Sequence, residues 1–271
     1  MGGPLPGDER ETRRDLQVRW RVLTDPPLPG PVNMARDEAL ARCLEEGEGV
    51  LRLYRWDPPT LSFGRNEPAR GLFRRDAARE EGIAFVRRPT GGRAVLHSLE
   101  LTYGLAVPLR ALGGLKATYR LVNRGLLEGL KTLGAPARLA GPEGTSLPPD
   151  AGPCFREPAE GEVTADGRKL IGSAQVRLGR SLLQHGSLIL DGDQDVVRRL
   201  RADPEPVPPP ATLRSLLGTL PSLEELQRAL REGLARTLGG AWETDGYRPR
   251  EEKAARELED HYRDPAWTWR L

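Results

Sequence analysis

The stretch RRPTGGRAVLH at Arg87–His97 places two glycines among three arginines and a histidine. A second stretch, GRKLIGSAQ at Gly167–Gln175, joins a lysine and an arginine to glycine, serine and alanine. Small residues let a ligand approach the backbone closely, and fixed cations bind anions or polarised carbonyl oxygens. Together the two stretches predict a site for acyl-group chemistry.

The residues of both stretches also have ordinary structural interpretations. Two adjacent glycines can form a simple hairpin turn, and a strand lysine is usually solvated. His97 and His185 are two of only three histidines, and either can be a satisfied core residue. The cations beside the glycines nevertheless favour an anion or carbonyl site, where Lys169 would stabilise an oxyanion or neutralise a phosphate. No metal site is predicted, because no regular Cys, His and Asp spacing accompanies the histidines.

The composition excludes several broad classes of function. The chain has 271 residues, with 41 Lys and Arg against 39 Asp and Glu, so its formal charge is only +2. This near balance predicts neither nucleic-acid nor membrane binding. The 2 cysteines lack the spacing of a disulfide framework, and no stretch approaches the roughly twenty apolar residues of a membrane helix. We expect a soluble, cytoplasmic protein.

Periodicity predicts strands and helices around the first motif. Residues 17–23 alternate like a half-buried strand, and a helix is expected from Asn33, which is a reasonable N-cap. Residues 51–56 and 60–63 predict a hairpin around Asp57-Pro58-Pro59, and residues 77–81 predict a short helix. Further strands are expected at 83–87, 94–96 and 101–107. The glycine motif would then lie between strands.

The second half of the chain predicts one long helix, a hairpin and a helical end. Residues 115–133 have helical apolar spacing, and Asp166-Gly167 suits the type I′ turn of a hairpin that contains Lys169. Strands are expected at 172–177 and 181–190, then helices at 213–238 with a break near Pro221. The predicted fold is α+β, a mixed, largely antiparallel sheet with packed helices. Its parts would be a flexible tail at 1–15, a catalytic domain at 16–192 and a helical C-terminal portion at 193–271.

The two cysteines receive different interpretations. Cys43 lies in the predicted helix with Ala39 and Leu40, where a buried structural role is favoured. Cys154 instead follows a Gly- and Pro-rich loop and precedes Lys169 by fifteen residues. A nearby ammonium would favour the thiolate, the nucleophilic form of cysteine. Cys154 is therefore a candidate nucleophile.

The residues quoted so far resemble those of the biotin/lipoate protein ligase and octanoyltransferase superfamily. The likeness spans roughly residues 18–190, with a weaker echo at 267–270. It rests on the runs at 87–97, 100–103, 167–175 and 183–188. Within the superfamily the chain is most similar to the octanoyltransferases, which carry Cys-Phe before the Gly-Arg-Lys motif, as Cys154-Phe155 does here. ATP-dependent lipoate ligases tend to have Arg-Asn-Asp at that point.

The resemblance implies an activity, a fold and a set of site residues. Cys154 would take an octanoyl group from octanoyl-acyl carrier protein as a thioester and pass it to a lysine of a lipoyl domain or glycine-cleavage H protein, while Lys169 polarises the carbonyl. The fold would be that of the biotin/lipoate ligase catalytic domain, and no cofactor would be required. The implied substrate-binding residues are Arg88, Thr90, Gly91, Gly92, Arg93, His97, Gly172, Ser173, Ala174, Gln175 and His185.

Two alternatives remain open at this point. The first is a lipoate-protein ligase that uses a lipoyl-adenylate, for which the arginines and glycines would bind phosphate and ATP and Mg would be required. The second is a non-catalytic lipoyl-domain or acyl-binding module, suggested by Ser98, which stands where the family usually has Asp after the histidine. Cys154 favours the thioester transferase over both.

Overall fold

The computed structural model describes residues 18–141, 160–203 and 209–271. The strands are β1 Arg19–Thr24, β2 Glu48–Tyr54, β3 Thr60–Phe63, β4 Ala84–Arg87, β5 Val95–His97, β6 Glu100–Pro108, β7 Arg138–Leu139, β8 Val163–Ala165, β9 Arg168–Leu178, β10 Ser181–Ile189 and β11 Ala241–Thr244. The helices are α1 Gly30–Arg42, α2 Arg75–Glu80, α3 Leu115–Thr132, α4 Asp195–Leu200, α5 Leu213–Leu217, α6 Leu223–Leu238, α7 Pro249–Arg263 and α8 Pro265–Thr268. Within these ranges, no helix has the length and apolar character needed to cross a bilayer.

The strands form two sheets. The larger has 8 strands in the order β11-β1-β2-β6-β10-β9-β8-β7, and the smaller has 3 in the order β4-β3-β5. Strand β1 is parallel to β11 and β2, whereas the pairs from β2 to β7 are antiparallel. The predicted mixed, largely antiparallel sheet with packed helices is therefore confirmed.

The predicted hairpin of residues 51–56 and 60–63 is wrong. Strand β2 is buried along its whole length and pairs with β1 and β6, so it occupies a central place in the large sheet. Strand β3 belongs to the small sheet, between β4 and β5. A strand that is buried on both faces needs neighbours on both edges, and the local turn residues do not reveal this.

Helix α1 begins at Gly30, three residues before the predicted N-cap Asn33. Proline is tolerated in the first helical turn because its missing N–H has no partner there, so the Pro-rich run continues into the helix. The side-chain amide of Asn33 donates hydrogen bonds to the carbonyls of Leu28 at 3.0 Å and Arg55 at 3.1 Å. Asn33 thus ties the helix to the chain after β2 instead of capping it.

The two faces of the large sheet carry different layers. On one face α3 and α6 cover the main core, to which Leu105, Leu126 and Leu230 belong. The two helices meet at glycines, since a Cβ on Gly233 would lie 2.3 Å from the carbonyl oxygen of Gly125. The other face carries α1, whose Asp37 reaches the middle of β6 and β10.

The C-terminal segment returns to the sheet. Strand β11, which the sequence did not predict, pairs in parallel with β1, and α7 packs against α1. Arg21 of β1 donates to Glu251 of α7 at 2.6 Å. Residues 1–15 lie outside the described ranges, and the predicted boundaries near residues 16 and 193 remain predictions.

Candidate active site

The glycine motif forms the loop between β4 and β5, as expected. Residues 88–94 make up this glycine loop, and hydrogen bonds from the Arg88 guanidinium hold it in place. Its Nη1 donates to the carbonyl and hydroxyl oxygens of Ser62, both at 2.7 Å. Its Nη2 donates to the carbonyls of Gly91 and Arg93, both at 3.0 Å. Arg88 therefore orders the loop, and Arg93 is itself buried beside it.

A buried carboxylate links the end of the same loop to the residue that follows β3. Glu67 accepts hydrogen bonds from the backbone N–H groups of Gly64 at 2.9 Å and Ala94 at 2.8 Å. Burial raises the pKa of Glu67, and these donors and Arg88 only partly oppose the shift. Gly92 has a φ of 89°, which favours glycine, and its carbonyl oxygen would lie 1.8 Å from a Cβ on Gly64. The loop thus needs a glycine at both positions.

A hydrogen-bonded chain connects this loop to the sheet. The Thr90 hydroxyl lies 2.6 Å from His185 Nε2 on β10, and His185 Nδ1 lies 3.1 Å from Asp37 Oδ2 on α1. Asp37 also accepts from Arg52 at 2.8 Å and from the Tyr54 hydroxyl at 2.7 Å. Burial alone would raise the pKa of Asp37, but Arg52 and His185 hold it below its usual range. This chain fixes Thr90 over β10.

His97 lies behind the loop, in the small sheet. Its Nε2 is 2.7 Å from the Ser62 hydroxyl, and its ring stacks on Trp56 with a centroid distance of 4.0 Å. Its Nδ1 is 3.8 Å from Glu100, beyond hydrogen-bond distance. Burial lowers the pKa of His97 although Glu100 opposes the shift, so the ring is neutral near pH 7. His97 supports Ser62, which in turn binds Arg88.

A β-bulge in β9 decides where Lys169 points. The consecutive residues Val163 and Thr164 of β8 pair with Ile171 and Lys169, so Leu170 is an extra residue in β9. An extra residue shifts the alternation of side chains, which places Lys169 and Ile171 on opposite faces. Ile171 packs in the core beneath α3. Lys169 therefore points to the face that carries the glycine loop.

Gly172 and Ala174 lie on that same face of β9. Ala174 pairs with His185 of β10, and a Cβ on Gly92 would lie 3.9 Å from the Ala174 Cβ. Residues directly opposite on paired strands share a face, and so do residues two apart on one strand. The loop thus faces a part of β9 that has little side-chain bulk, next to Lys169. Such a surface suits an acyl chain whose carbonyl end reaches the ammonium.

Ser173 and Gln175 point to the other face. The Ser173 hydroxyl lies 2.7 Å from that of Tyr103 and donates to Asn123 Oδ1 on α3 at 3.1 Å. Gln175 donates to Gln184 Oε1 at 2.8 Å. Burial raises the pKa of Tyr103, so its hydroxyl keeps its proton within this network. We expect Ser173 and Gln175 to touch a substrate only through their backbone.

The structure brings most of the predicted residues together on one face and adds partners that the sequence analysis missed. Arg88, Thr90, Gly91, Gly92 and Arg93 form the loop, and Lys169, Gly172, Ala174 and His185 lie on the strands that face it. Cys154 lies outside the described residues. The missed residues are Asp37, Glu67 and Glu162, which are buried acids outside the two motifs. Within the described ranges, no group of three His, Cys, Asp or Glu residues could hold a metal ion.

Comparisons with known proteins agree with this fold. The model of the lipoyl protein ligase A/B catalytic domain matches residues 29–235. The octanoyltransferase LipM of Symbiobacterium thermophilum is 39% identical over 275 residues, which cover 94% of this chain and 100% of that protein. The octanoyltransferase LipM of Kyrpidia tusciae is 39% identical over 272 residues, covering 93% and 98%.

Solved structures show the same architecture. A Thermoplasma acidophilum protein with bound lipoic acid superposes with a TM-score of 0.78 at 25% identity, covering 93% of this chain and 99% of that one. Lipoate-protein ligase A bound with ATP gives a TM-score of 0.76 at 25% identity, covering 93% and 98%. The family match spans well over half of the sequence, and this chain belongs to the lipoyl protein ligase A/B catalytic domain family.

Proposed function

We propose that this protein is an octanoyltransferase that transfers an octanoyl group to a lysine of a lipoyl-accepting protein in protein lipoylation. The observation that carries the proposal is its similarity, over almost its whole length, to octanoyltransferases. The glycine loop and the small residues of β9 support it, because together they offer an acyl chain a surface that ends at the buried Lys169. A cytoplasmic location remains a prediction.

The reaction that we propose has two steps. The thiolate of Cys154 attacks the thioester of octanoyl-acyl carrier protein, a new C–S bond forms, and the carrier leaves as a thiol after taking a proton. The amine of the acceptor lysine then attacks the Cys154 thioester, the C–N bond forms, the C–S bond breaks, and the amine proton passes to the departing Cys154 sulfur. Lys169 stabilises the negative charge on the carbonyl oxygen in both steps. Thioester exchange is nearly balanced in energy, so neither ATP nor Mg is needed.

The two partners follow from the same proposal. The donor is octanoyl-acyl carrier protein, and the acceptor is a lipoyl domain or the glycine-cleavage H protein. A structural relative from Thermoplasma acidophilum was solved as a lipoate protein ligase with its E2 lipoyl domain, which supports the acceptor class. Transfer to each purified acceptor, followed by intact mass, would identify the one that is used.

An acylation experiment tests the mechanism. Incubation with octanoyl-acyl carrier protein should add one octanoyl group to the protein, as measured by intact mass, and Cys154→Ala should prevent the adduct. Cys43→Ala is the matched control and should acylate like the wild type, because Cys43 lies at the end of α1, outside the loop and β9. Absence of an adduct on the wild type, or its persistence in Cys154→Ala, would contradict the mechanism.

A lipoate-protein ligase is the second candidate, and the structural likeness to a ligase bound with ATP favours it. A ligase would release pyrophosphate when ATP and lipoate are supplied. If this release survives Cys154→Ala, the chain uses an adenylate. If no lipoate-dependent pyrophosphate appears while octanoyl transfer proceeds, the transferase is supported.

A further inference from the structure

Lys169 has a buried carboxylate partner. Its Nζ lies 2.7 Å from Glu162 Oε2, and the side chains of the two residues are only 3% and 5% exposed. Taking two charges out of water is expensive unless each is paired and well placed. The Lys169–Glu162 pair is therefore not an ordinary solvated surface pair, and its place in the predicted site indicates a functional role.

Backbone hydrogen bonds fix the position of Glu162. The carbonyl of Glu162 accepts from Ala140 N at 2.8 Å, and the N–H of the preceding Gly161 donates to the Ala140 carbonyl at 3.0 Å. Asn123 of α3 donates to the Gly161 carbonyl at 2.9 Å. Hydrogen bonds from Ala140 and from Asn123 of α3 thus hold the backbone at Gly161 and Glu162, just before β8 begins.

The strand register sets the two side chains face to face. Thr164 pairs with Lys169 across the bulge, and Glu162 is two residues before Thr164, so alternation places all three on the glycine-loop face. The register thus brings the two side chains within reach of each other, and they form the ion pair. Without the bulge, Lys169 would turn toward α3 and away from Glu162.

We propose that Glu162 is a positioning residue that fixes the Lys169 ammonium against the reacting thioester carbonyl. This inference rests on the proposed octanoyl transfer. The carboxylate offsets the desolvation of the ammonium and restricts a long, flexible side chain to one direction. Lys169 then stabilises the oxyanion. When the acceptor amine attacks, the C–N bond forms and the C–S bond breaks, and the proton of the amine goes to the departing Cys154 sulfur.

Substitution of Glu162 tests the proposal in the first half-reaction. In Glu162→Gln the side chain keeps its shape and loses its charge, so the rate constant of Cys154 acylation at saturating octanoyl-acyl carrier protein should fall roughly 10- to 100-fold. The KM for the carrier should change less than about threefold, because Glu162 is buried and would act through Lys169. Glu162→Asp, which keeps the charge on a shorter side chain, should recover part of the rate.

Glu160→Gln is the matched control. Glu160 is also acidic and lies two residues away, but it is exposed and pairs with Arg120 at 3.1 Å. We expect its acylation rate to stay within about twofold of the wild type, since exposed pairs contribute little. Thermal unfolding by circular dichroism, measured for every variant, shows which of them are folded.

A double-mutant cycle separates positioning from a purely structural role. In a Lys169→Ala background, Glu162→Gln should cause no further loss of the residual acylation rate, because Glu162 acts through Lys169. An equal loss in both backgrounds would overturn the inference, and so would a Glu162→Gln variant that acylates at the wild-type rate. These outcomes differ from failure of the proposed function, in which the wild type itself forms no Cys154 adduct.

Discussion

At the scale of single residues, Arg88 and Glu67 are buried and hold the backbone around the glycine loop by hydrogen bonds. Arg88 was expected to bind substrate, yet its guanidinium binds Ser62 and the carbonyls of the glycine loop. Glu67 binds two N–H groups of the same region. A loop whose outer side binds a ligand has few protein contacts on that side. Hydrogen bonds from buried polar groups on its inner side therefore fix its conformation.

Thr90→Val should loosen this loop. The substitution keeps the shape of the side chain and removes the hydroxyl that meets His185 at 2.6 Å. An unpaired, buried His185 nitrogen would lower the free energy of unfolding by about 1–3 kcal/mol and slow octanoyl transfer. Urea unfolding and single-turnover transfer would measure both effects. Thr90→Ser, which keeps the hydroxyl, should behave like the wild type, and equal behaviour of the two variants would contradict the role of this bond.

The low pKa of His97 predicts a pH dependence of stability. Burial depresses the pKa of His97 in the folded protein, whereas in the unfolded chain its pKa is that of an ordinary histidine, about 6.5. Below this pH the unfolded state binds the extra proton first, so the free energy of unfolding falls on acidification, by at most about 1.4 kcal/mol per pH unit. Urea unfolding at several pH values between 7.5 and 5 should show a shallower slope for His97→Gln. An unchanged slope would mean that another group controls it.

At the scale of elements, two features could not be predicted from the sequence pattern. They are the bulge in β9 and the close approach of Gly64 to Gly92. The predicted Asp166-Gly167 turn is confirmed, with positive φ values of 50° and 73°. The alternation of residue types along β9 after this turn does not show that Leu170 is an extra residue in the pairing with β8. The direction of the Lys169 side chain therefore follows from the pairing of β9 with β8.

Gly64→Ala should displace the glycine loop. The new Cβ would lie 1.8 Å from the carbonyl oxygen of Gly92, and a backbone atom cannot move aside as a flexible side chain can. We expect a loss of stability of about 1–3 kcal/mol and a fall of at least roughly tenfold in octanoyl transfer. Gly246→Ala serves as the control, since no atom lies within 4 Å of its Cβ position. Wild-type transfer by Gly64→Ala would show that the loop tolerates the shift.

At the scale of the whole molecule, the C-terminal segment supports the site from behind. Arg87, at the start of the glycine motif, donates to the carbonyl of Thr268 at 3.0 Å, and Trp267 donates to the carbonyl of Arg87 at 3.0 Å. Trp269 packs edge-on against Phe63 and Phe85, with centroid distances of 5.3 and 4.9 Å. The weak similarity noted at 267–270 corresponds to this contact.

Trp269→Ala should therefore affect both stability and transfer. Loss of a partly exposed aromatic contact would lower the free energy of unfolding by roughly 2–4 kcal/mol, and the strands that carry the loop would lose support. Trp242→Ala removes a comparable stack, 4.7 Å from Trp20, at the edge strand β11. It should lower the stability and leave single-turnover transfer of the folded protein unchanged. If both variants transfer at the wild-type rate, the C-terminal segment does not support the loop.

The sequence by itself determined the family, the α+β class, most element positions and the residues that gather at the site, because motifs and periodicity are local properties of the chain. The tertiary structure alone decided that β2 is a central strand and that β11 is the edge strand beside β1. It decided that Arg88 binds Ser62 and the loop carbonyls, and that His97 binds Ser62. It also decided that Lys169 points to the loop face and meets Glu162. Pairing between distant strands sets these directions, and one added residue reverses a side chain without changing the local pattern.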